Sequence, residues 1–237
     1  MKKWIYLACL VLATSVSFSQ KHRADTAGKA PKVFYAPKNA VKFDIVKLLV
    51  GDMAFAYERA VSFNSSIEVE LGPTISRYGL NRMNFLGLVA NIPNYDYDGS
   101  YRREGTIGGM FSIAYKHYLL KNRPAMNGLF IAPRFKFRNY NDVGNFSSYS
   151  PSLTQDYKNS LNQFMLVFNL GMNHWFSNSF GIEYYVTFGL TMNNFKYHYY
   201  TEYYTDTDGL WHYDVVKTQK NFFNPTIGTG FKLNFGF

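Results

Sequence analysis

The chain has 237 residues, a formal net charge of +9 at pH 7 and a single cysteine, Cys9. One cysteine near the N-terminus excludes a disulfide framework or a cysteine-based metal site in the rest of the chain. The basic residues are scattered, so the positive charge favours an anionic membrane surface over nucleic acid as a partner. Phe, Trp and Tyr make up 19% of the chain and charged residues only 17%, a balance that suits a protein with a lipid-facing surface.

Residues 1–19 have the order of a secretory signal peptide: two lysines, an apolar run at 4–13, then small and polar residues. The apolar run is shorter than the ~20 residues that a helix needs to span a bilayer. Cleavage is expected between Ser19 and Gln20. No apolar window long enough for a helical span follows, and the basic, proline-containing residues 20–40 are expected to form a flexible periplasmic lead-in.

Beyond this lead-in the dominant pattern is alternation of apolar with small or polar residues at a period of 2, which indicates β-strands. The clearest case is 180–192, where seven apolar side chains share one face. Similar or weaker segments bring the expected number of strands to eight: 41–48, 53–58, 67–72, 107–116, 129–138, 163–171, 180–192 and 227–237.

Short and long connections alternate along most of the chain, as in outer-membrane barrels with tight periplasmic turns and long external loops. The predicted fold is therefore all-β: a closed, eight-stranded, antiparallel, up-and-down transmembrane β-barrel over residues 41–237, with both termini periplasmic. Asp-Gly pairs at 98–99 and 208–209 favour two-residue hairpin turns. Around the second pair the last two strands could continue as an external binding hairpin, which carries Tyr199, Tyr203, Trp211 and Tyr213.

The composition of the polar face of the strands indicates that the apolar face points to lipid. The polar face is rich in small residues and has charges of both signs interspersed, whereas the outside of a soluble barrel would be dense in Lys and Glu. Buried charges cost several kcal/mol each unless they are paired, so we expect acid-to-base contacts that plug the interior. The expected charge network is Glu58, Glu68, Glu70, Glu183, Arg134, Lys136, Arg138 and Lys232.

Three segments resemble the small outer-membrane β-barrel proteins of Bacteroidota, of the OmpX and OmpA-barrel type: YERAVSFNSSIEVELG (57–72), NLGMNHWFSNSFGIEYYVTFG (169–189) and the ending GTGFKLNFGF (228–237). The resemblance covers about 41–237. It implies this fold and insertion by the barrel-assembly machinery, and it carries over no activity. In this family the insertion signal is a C-terminal aromatic residue preceded by alternating hydrophobic residues, here Phe231, Leu233, Phe235 and Phe237.

The sequence also contains residue types that occur in catalytic and metal sites. His174, Ser177 and Glu183 provide the residue types of a hydrolase triad, but His174 and Ser177 are expected to flank a tight turn, beside Trp175 and Phe176 at the membrane interface. The stretches 96–99 and 206–209 begin like calcium loops and lack the further ligands of an EF-hand. We expect no catalytic residue, no metal and no cofactor.

The sequence thus predicts a non-enzymatic, monomeric barrel in the outer membrane of a Gram-negative cell. Its partners would be outer-membrane lipid and, at the tyrosine-rich external loops, an extracellular protein or glycan. Two alternatives remain open: a small porin, and a lipid-modifying enzyme of the outer membrane.

Overall fold

The structure, a computed structural model, describes residues 37–48, 51–75, 102–120, 124–145, 156–205, 207 and 209–237. These ranges contain eight strands and one helical turn: β1 (Asn39–Asp44), α1 (Ile45–Leu48), β2 (Phe55–Ser62), β3 (Ser65–Ile75), β4 (Arg102–Tyr118), β5 (Gly128–Asn145), β6 (Asp156–Trp175), β7 (Phe180–Thr205) and β8 (Leu210–Gly236). The expected signal peptide, its cleavage point, most of the lead-in and the turn at 98–99 lie outside the described residues. No helix in the described ranges has the length and hydropathy of a membrane span.

Each strand pairs antiparallel with the next, and β8 pairs with β1, so that the sheet closes into a ring. The eight-stranded, antiparallel, up-and-down sheet predicted from the sequence is confirmed, while its insertion into a membrane stays a prediction. We call the β1–β8 ladder the closing ladder; it runs from Ala40 opposite Gly236 to Asp44 opposite Lys232. Eight staggered strands enclose a space that side chains alone can fill.

The two faces of the sheet differ completely in polarity. A line of cross-strand partners runs once round the ring, from Leu233 on β8 through each strand and back to β8. Every residue on this line is apolar and faces outward: Phe43, Phe55, Leu71, Phe111, Phe137, Phe164, Met192 and Phe223. The inward-facing line that starts at Asn234 instead contains Lys42, Glu70 and Lys136. Leu166 on the outer face is 68% exposed, whereas Glu68 on the inner face is 0% exposed. The ring is therefore apolar outside and charged inside.

The first strand is shorter than the predicted 41–48. It ends at Asp44, whose Oδ1 accepts a hydrogen bond from the Lys47 backbone N–H at 3.3 Å. This contact caps the first turn of a helix, so residues 45–48 form α1 in place of a strand end. The chain then returns along β3, where the Met53 N–H donates to the Pro73 carbonyl oxygen at 3.0 Å.

A small apolar plug closes the interior at the end of the ring that carries the short turns. The connection between β4 and β5 turns inward at Met126, which adopts a φ of 68° and is fully buried. The Trp175 Nε1–H donates to the Met126 carbonyl oxygen, and Tyr118 and Phe130 pack in the same cluster. The expectation that Trp175 lies at a membrane interface is therefore wrong: it points into the ring, and only its neighbour Phe176, 53% exposed, faces outward.

At the opposite end β7 and β8 extend beyond the other strands. β6 pairs with β7 only as far as Lys196, while the β7–β8 ladder continues to Thr205 opposite Leu210. We call this two-stranded extension the ribbon. Its last described pair is Thr205 opposite Leu210, and Asp208 of the expected two-residue turn at 208–209 lies outside the described residues. Gly209 adopts a φ of 66°, which favours glycine.

Gly72 provides a test of the packing between β3 and the segment after α1. An added Cβ would lie 1.8 Å from the Met53 carbonyl oxygen, so the backbone would have to move. We expect Gly72→Ala to lower the free energy of unfolding by about 1–3 kcal/mol, measured by chemical unfolding with far-UV circular dichroism. Gly109→Ala is the matched control, because no atom lies within 4 Å of its Cβ. Equal losses in the two variants would contradict the close approach.

Candidate functional site

The most distinctive group of polar side chains lies inside the ring. We call it the interior charge cluster. Its members come from strands β1 to β5, β7 and β8, from α1 and from the segment after it. They are Lys42, Asp44, Lys47, Asp52, Glu58, Glu68, Glu70, Lys116, Arg134, Lys136, Arg138, Glu183 and Lys232.

Glu68 on β3 lies at the centre of the cluster. Its Oε2 is 2.7 Å from the Lys116 Nζ, and its Oε1 is 2.5 Å from the Lys232 Nζ. The Arg134 guanidinium also donates to its Oε1. One fully buried carboxylate thus joins cations from β4, β5 and β8, so it links strands that are distant around the ring.

Glu58 and Glu183 share two lysines on the side of the cluster nearest the plug. The Lys116 Nζ lies 2.9 Å from Glu58 Oε2 and 2.7 Å from Glu183 Oε2. Lys42 contacts both carboxylates as well, and the Tyr118 hydroxyl donates to Glu58 Oε1 at 2.7 Å. Each of these carboxylates is therefore compensated by both ammonium groups.

Glu70 continues the network toward α1. Its Oε2 accepts a hydrogen bond from Arg134 Nη1 at 2.9 Å, and its Oε1 accepts one from the Lys47 Nζ at 2.5 Å. Lys47 also lies 3.3 Å from Asp44, which accepts a further hydrogen bond from the Tyr185 hydroxyl. The helical turn after β1 is thus fixed to the inside of the ring by its one inward cation.

A second centre forms at Asp52, in the segment after α1. Its Oδ2 lies 3.2 Å from the Lys136 Nζ and 3.1 Å from the Arg138 Nε. Its Oδ1 accepts a hydrogen bond from the Tyr140 hydroxyl at 2.7 Å. Asp52 therefore contacts two cations of β5 at once, and these contacts position the β1–β2 connection.

The structure places all eight charged residues predicted for the network on the inner side of the ring and brings them into two connected groups. Sequence reasoning missed Lys42, Asp44, Lys47, Asp52 and Lys116. Lys116 and Lys42 alternate with apolar residues on their strands, and this pattern could have identified both. Lys47 and Asp52 follow no strand pattern, because they come from the connection after β1.

The structure does not bring the residues of a hydrolase triad together. Glu183 lies inside the ring with Lys42 and Lys116, whereas His174 is exposed on the outer face and packs edge-on against Phe176 at 4.9 Å. The Ser177 hydroxyl oxygen accepts hydrogen bonds from backbone N–H groups of its own turn. In this arrangement His174 cannot deprotonate Ser177 with support from Glu183.

Three carboxylates of the cluster, Glu58, Glu68 and Glu183, approach one another as metal ligands would. The Lys116 Nζ lies within 2.9 Å of all three, and the Lys42 Nζ contacts them too. Two ammonium groups thus supply the positive charge that a cation would bring. The geometry suits internal neutralisation and offers little to a metal ion.

Glu68 tests how far the ring depends on this neutralisation. We expect Glu68→Gln to lower the free energy of unfolding by about 3–5 kcal/mol, because it leaves buried cations without their shared carboxylate. Chemical unfolding of the purified protein measures the loss. Arg59→Gln, on the exposed outer face of β2, is the control and should change stability by less than about 0.5 kcal/mol. The double variant Glu68→Gln/Lys232→Met should recover part of the loss, and a further loss of stability would contradict mutual neutralisation.

Comparisons of the chain with family models, curated proteins and solved structures found no match. The resemblance of three segments to small outer-membrane barrel proteins therefore stays a prediction from the sequence.

Proposed function

We propose that the protein is an integral β-barrel of a Gram-negative outer membrane, with a plugged interior and an external ribbon for surface contacts. The observation that carries this proposal is the polarity of the ring, which is apolar outside and charged inside, the reverse of a soluble protein. Soluble monomers rarely expose contiguous apolar patches larger than a few hundred Å², yet here an apolar line encircles the whole ring. Lipid chains are the surroundings in which such a surface is stable.

The dimensions of the apolar surface suit a bilayer. On β7 the outward apolar residues run from Phe180 to Met192. Twelve residue steps of about 3.3 Å, tilted by about 40°, rise roughly 30 Å along the ring axis, enough for the ~25 Å apolar band of such barrels. Above Met192 the outer residue Asn194 donates a hydrogen bond to Asn221 at 2.6 Å. The apolar surface thus ends where a membrane interface would begin.

A filled interior favours a structural or binding role over transport. The cluster around Glu68 and the plug at Met126 both occupy the space within the ring. A porin of this width would need a lumen free of such contacts. The His174–Ser177–Glu183 geometry likewise gives no support to lipid hydrolysis. We therefore favour envelope structure and surface contact as the role of the barrel.

The ribbon is the part of the described chain best suited to contact an external protein or glycan. Near its tip Tyr203 stacks on His212 at 5.5 Å, and Tyr204 meets Trp211 edge-on at 5.6 Å. Tyr203, Tyr204 and Trp211 are each at least half exposed. Tyr and Trp provide large amphipathic contact surfaces with little rotamer entropy to lose. Of the other two predicted positions, the backbones of Tyr199 and Tyr213 lie within the same ladder.

The location of the protein can be tested together with the insertion signal. In a Gram-negative host we expect the mature chain in the outer-membrane fraction, with heat-modifiable mobility on gels. Phe237, 71% exposed after β8, is the terminal residue of the expected signal, so Phe237→Ala should lower the inserted amount several-fold. Phe176→Ala removes another exposed aromatic side chain at the same end and should leave insertion unchanged. Recovery of the wild-type chain in the soluble periplasmic fraction would refute the proposal.

A trimmed ribbon tests whether these residues serve contact or stability. Replacing residues 199–216 by Asn-Gly joins β7 to β8 directly after the His198–Lys217 pair. We expect the midpoint of thermal unfolding in detergent to shift by less than about 3 °C, because the removed strands pair only with each other. A drop of 10 °C or more would show that the ribbon stabilises the ring, and would remove the basis for its role in contact.

A further inference from the structure

The outer wall formed by β6, β7 and β8 changes character in successive rows of neighbouring residues. The last apolar row contains Phe164, Met192 and Phe223. Moving away from the short-turn end, three polar rows follow. They are Asn162, Asn194 and Asn221; then Ser160, Lys196 and Gln219; then Lys158, His198 and Lys217. We call Lys158, Lys196 and Lys217 the basic patch.

The three lysines of the basic patch are exposed, and within the described ranges none of them forms an ion pair with a carboxylate. The described acid on this part of β6 is Asp156, which lies two residues before Lys158 and on the same face, so one carboxylate accompanies three lysines. Asp214 lies three residues before Lys217, on the other face of β8, because strand side chains alternate. The patch therefore carries a surplus of positive charge.

His198 separates two of the lysines and adds no charge of its own at neutral pH. Partial burial and the neighbouring Lys217 hold the pKa of His198 below its usual range. Its backbone N–H donates to Asn159 Oδ1 at 2.8 Å, and its ring lies 5.2 Å from that of Tyr157. The imidazole thus acts as a fixed, neutral spacer between Lys158 and Lys217.

The position of the patch matches the headgroup region of a bilayer. Neighbouring strands lie about 4.8 Å apart, so Lys158 and Lys217 are separated by roughly 10 Å at the backbone. Each row of two residues rises about 5 Å along a strand tilted by ~40°. The lysine rows therefore lie roughly 10–15 Å above the last apolar row. Lysine side chains can reach back several ångströms toward the interface.

We propose that the basic patch binds the phosphate groups of an anionic glycolipid headgroup in the outer leaflet, with the acyl chains against the apolar rows below. This inference rests on the proposed location in an outer membrane. Three lysines whose backbones lie within about 10 Å of one another suit a headgroup with more than one phosphate. The asparagine row between the lysines and the apolar rows offers amide donors and acceptors to the sugar.

The test uses the purified full-length mature chain, folded in a neutral detergent, and diphosphorylated lipid A as the probe. Native mass spectrometry measures bound lipid across a concentration series, with dephosphorylated lipid A in parallel. A lysine near an anionic lipid surface contributes on the order of 1 kcal/mol. We therefore expect Lys158→Gln/Lys217→Gln to weaken binding of the phosphorylated probe roughly thirtyfold, and adding Lys196→Gln to weaken it about fivefold more.

Lys38→Gln/Arg59→Gln is the matched control, since it removes two exposed positive charges at the opposite end of the ring. It should change binding less than about twofold. Heat-modifiable mobility first verifies that every variant is folded. Unchanged binding by Lys158→Gln/Lys217→Gln, an equal loss in the control, or equal binding of the dephosphorylated probe would overturn the inference. None of these results would contradict the proposed location. That proposal is contradicted only if the chain is found outside the outer membrane.

Discussion

The neutralisation of buried charge by buried charge is the constraint on which the structure depends. A narrow ring of eight strands leaves no room for bulk water between its walls, and an unpaired ion there would cost several kcal/mol. Glu68 meets this requirement by contacting cations from three strands at once. Because its partners lie on different sides of the ring, the same contacts set the distances between opposite walls.

The reversed polarity of the sheet follows from the same arrangement. Each charged group of the cluster contacts a group of opposite charge, so the inner face needs no bulk solvent. The outer face is apolar along the whole line from Leu233 to Phe223. The polar rows that follow on β6, β7 and β8 then mark a boundary on the outer wall. The charged interior and the apolar outer surface thus both follow from the alternation of polar and apolar residues along the strands.

Alternation with period 2 made most of this fold predictable from the sequence. It identified all eight strands and the inward position of Glu58, Glu68 and Glu183. The pattern could not predict where β1 ends, because the Asp44 cap that starts α1 is a local contact. It also missed Asp52, whose role depends on a connection that folds back along β3. The inward direction of Trp175 depends on its hydrogen bond to Met126, a partner that strand alternation does not reveal.

The sequence predicts that the interior holds paired charges, but it does not predict which groups pair. Charges of both signs on an otherwise small-residue face indicate internal pairing. Which carboxylate meets which cation depends on the stagger of the ring, and a single sequence does not reveal that stagger. Lys42 illustrates the limit: alternation along β1 places it on the inner face, but its contact with Glu183 on β7 depends on how the ring closes.

The closing ladder has a consequence for assembly. It joins the two ends of the folded chain through only a few pairs, from Ala40–Gly236 to Asp44–Lys232, yet ionic contacts cross it from inside. Lys42 reaches past β8 to Glu183 on β7, and Asp44 accepts a hydrogen bond from Tyr185 on the same strand. An open sheet would lack these two contacts, and Lys42 and Asp44 would keep only their partners on the β1 side, among them Glu58 and Lys47. Pairing of the first strand with the last therefore also completes the ionic network of the interior, because Lys42–Glu183 and Asp44–Tyr185 form only when the two edges meet.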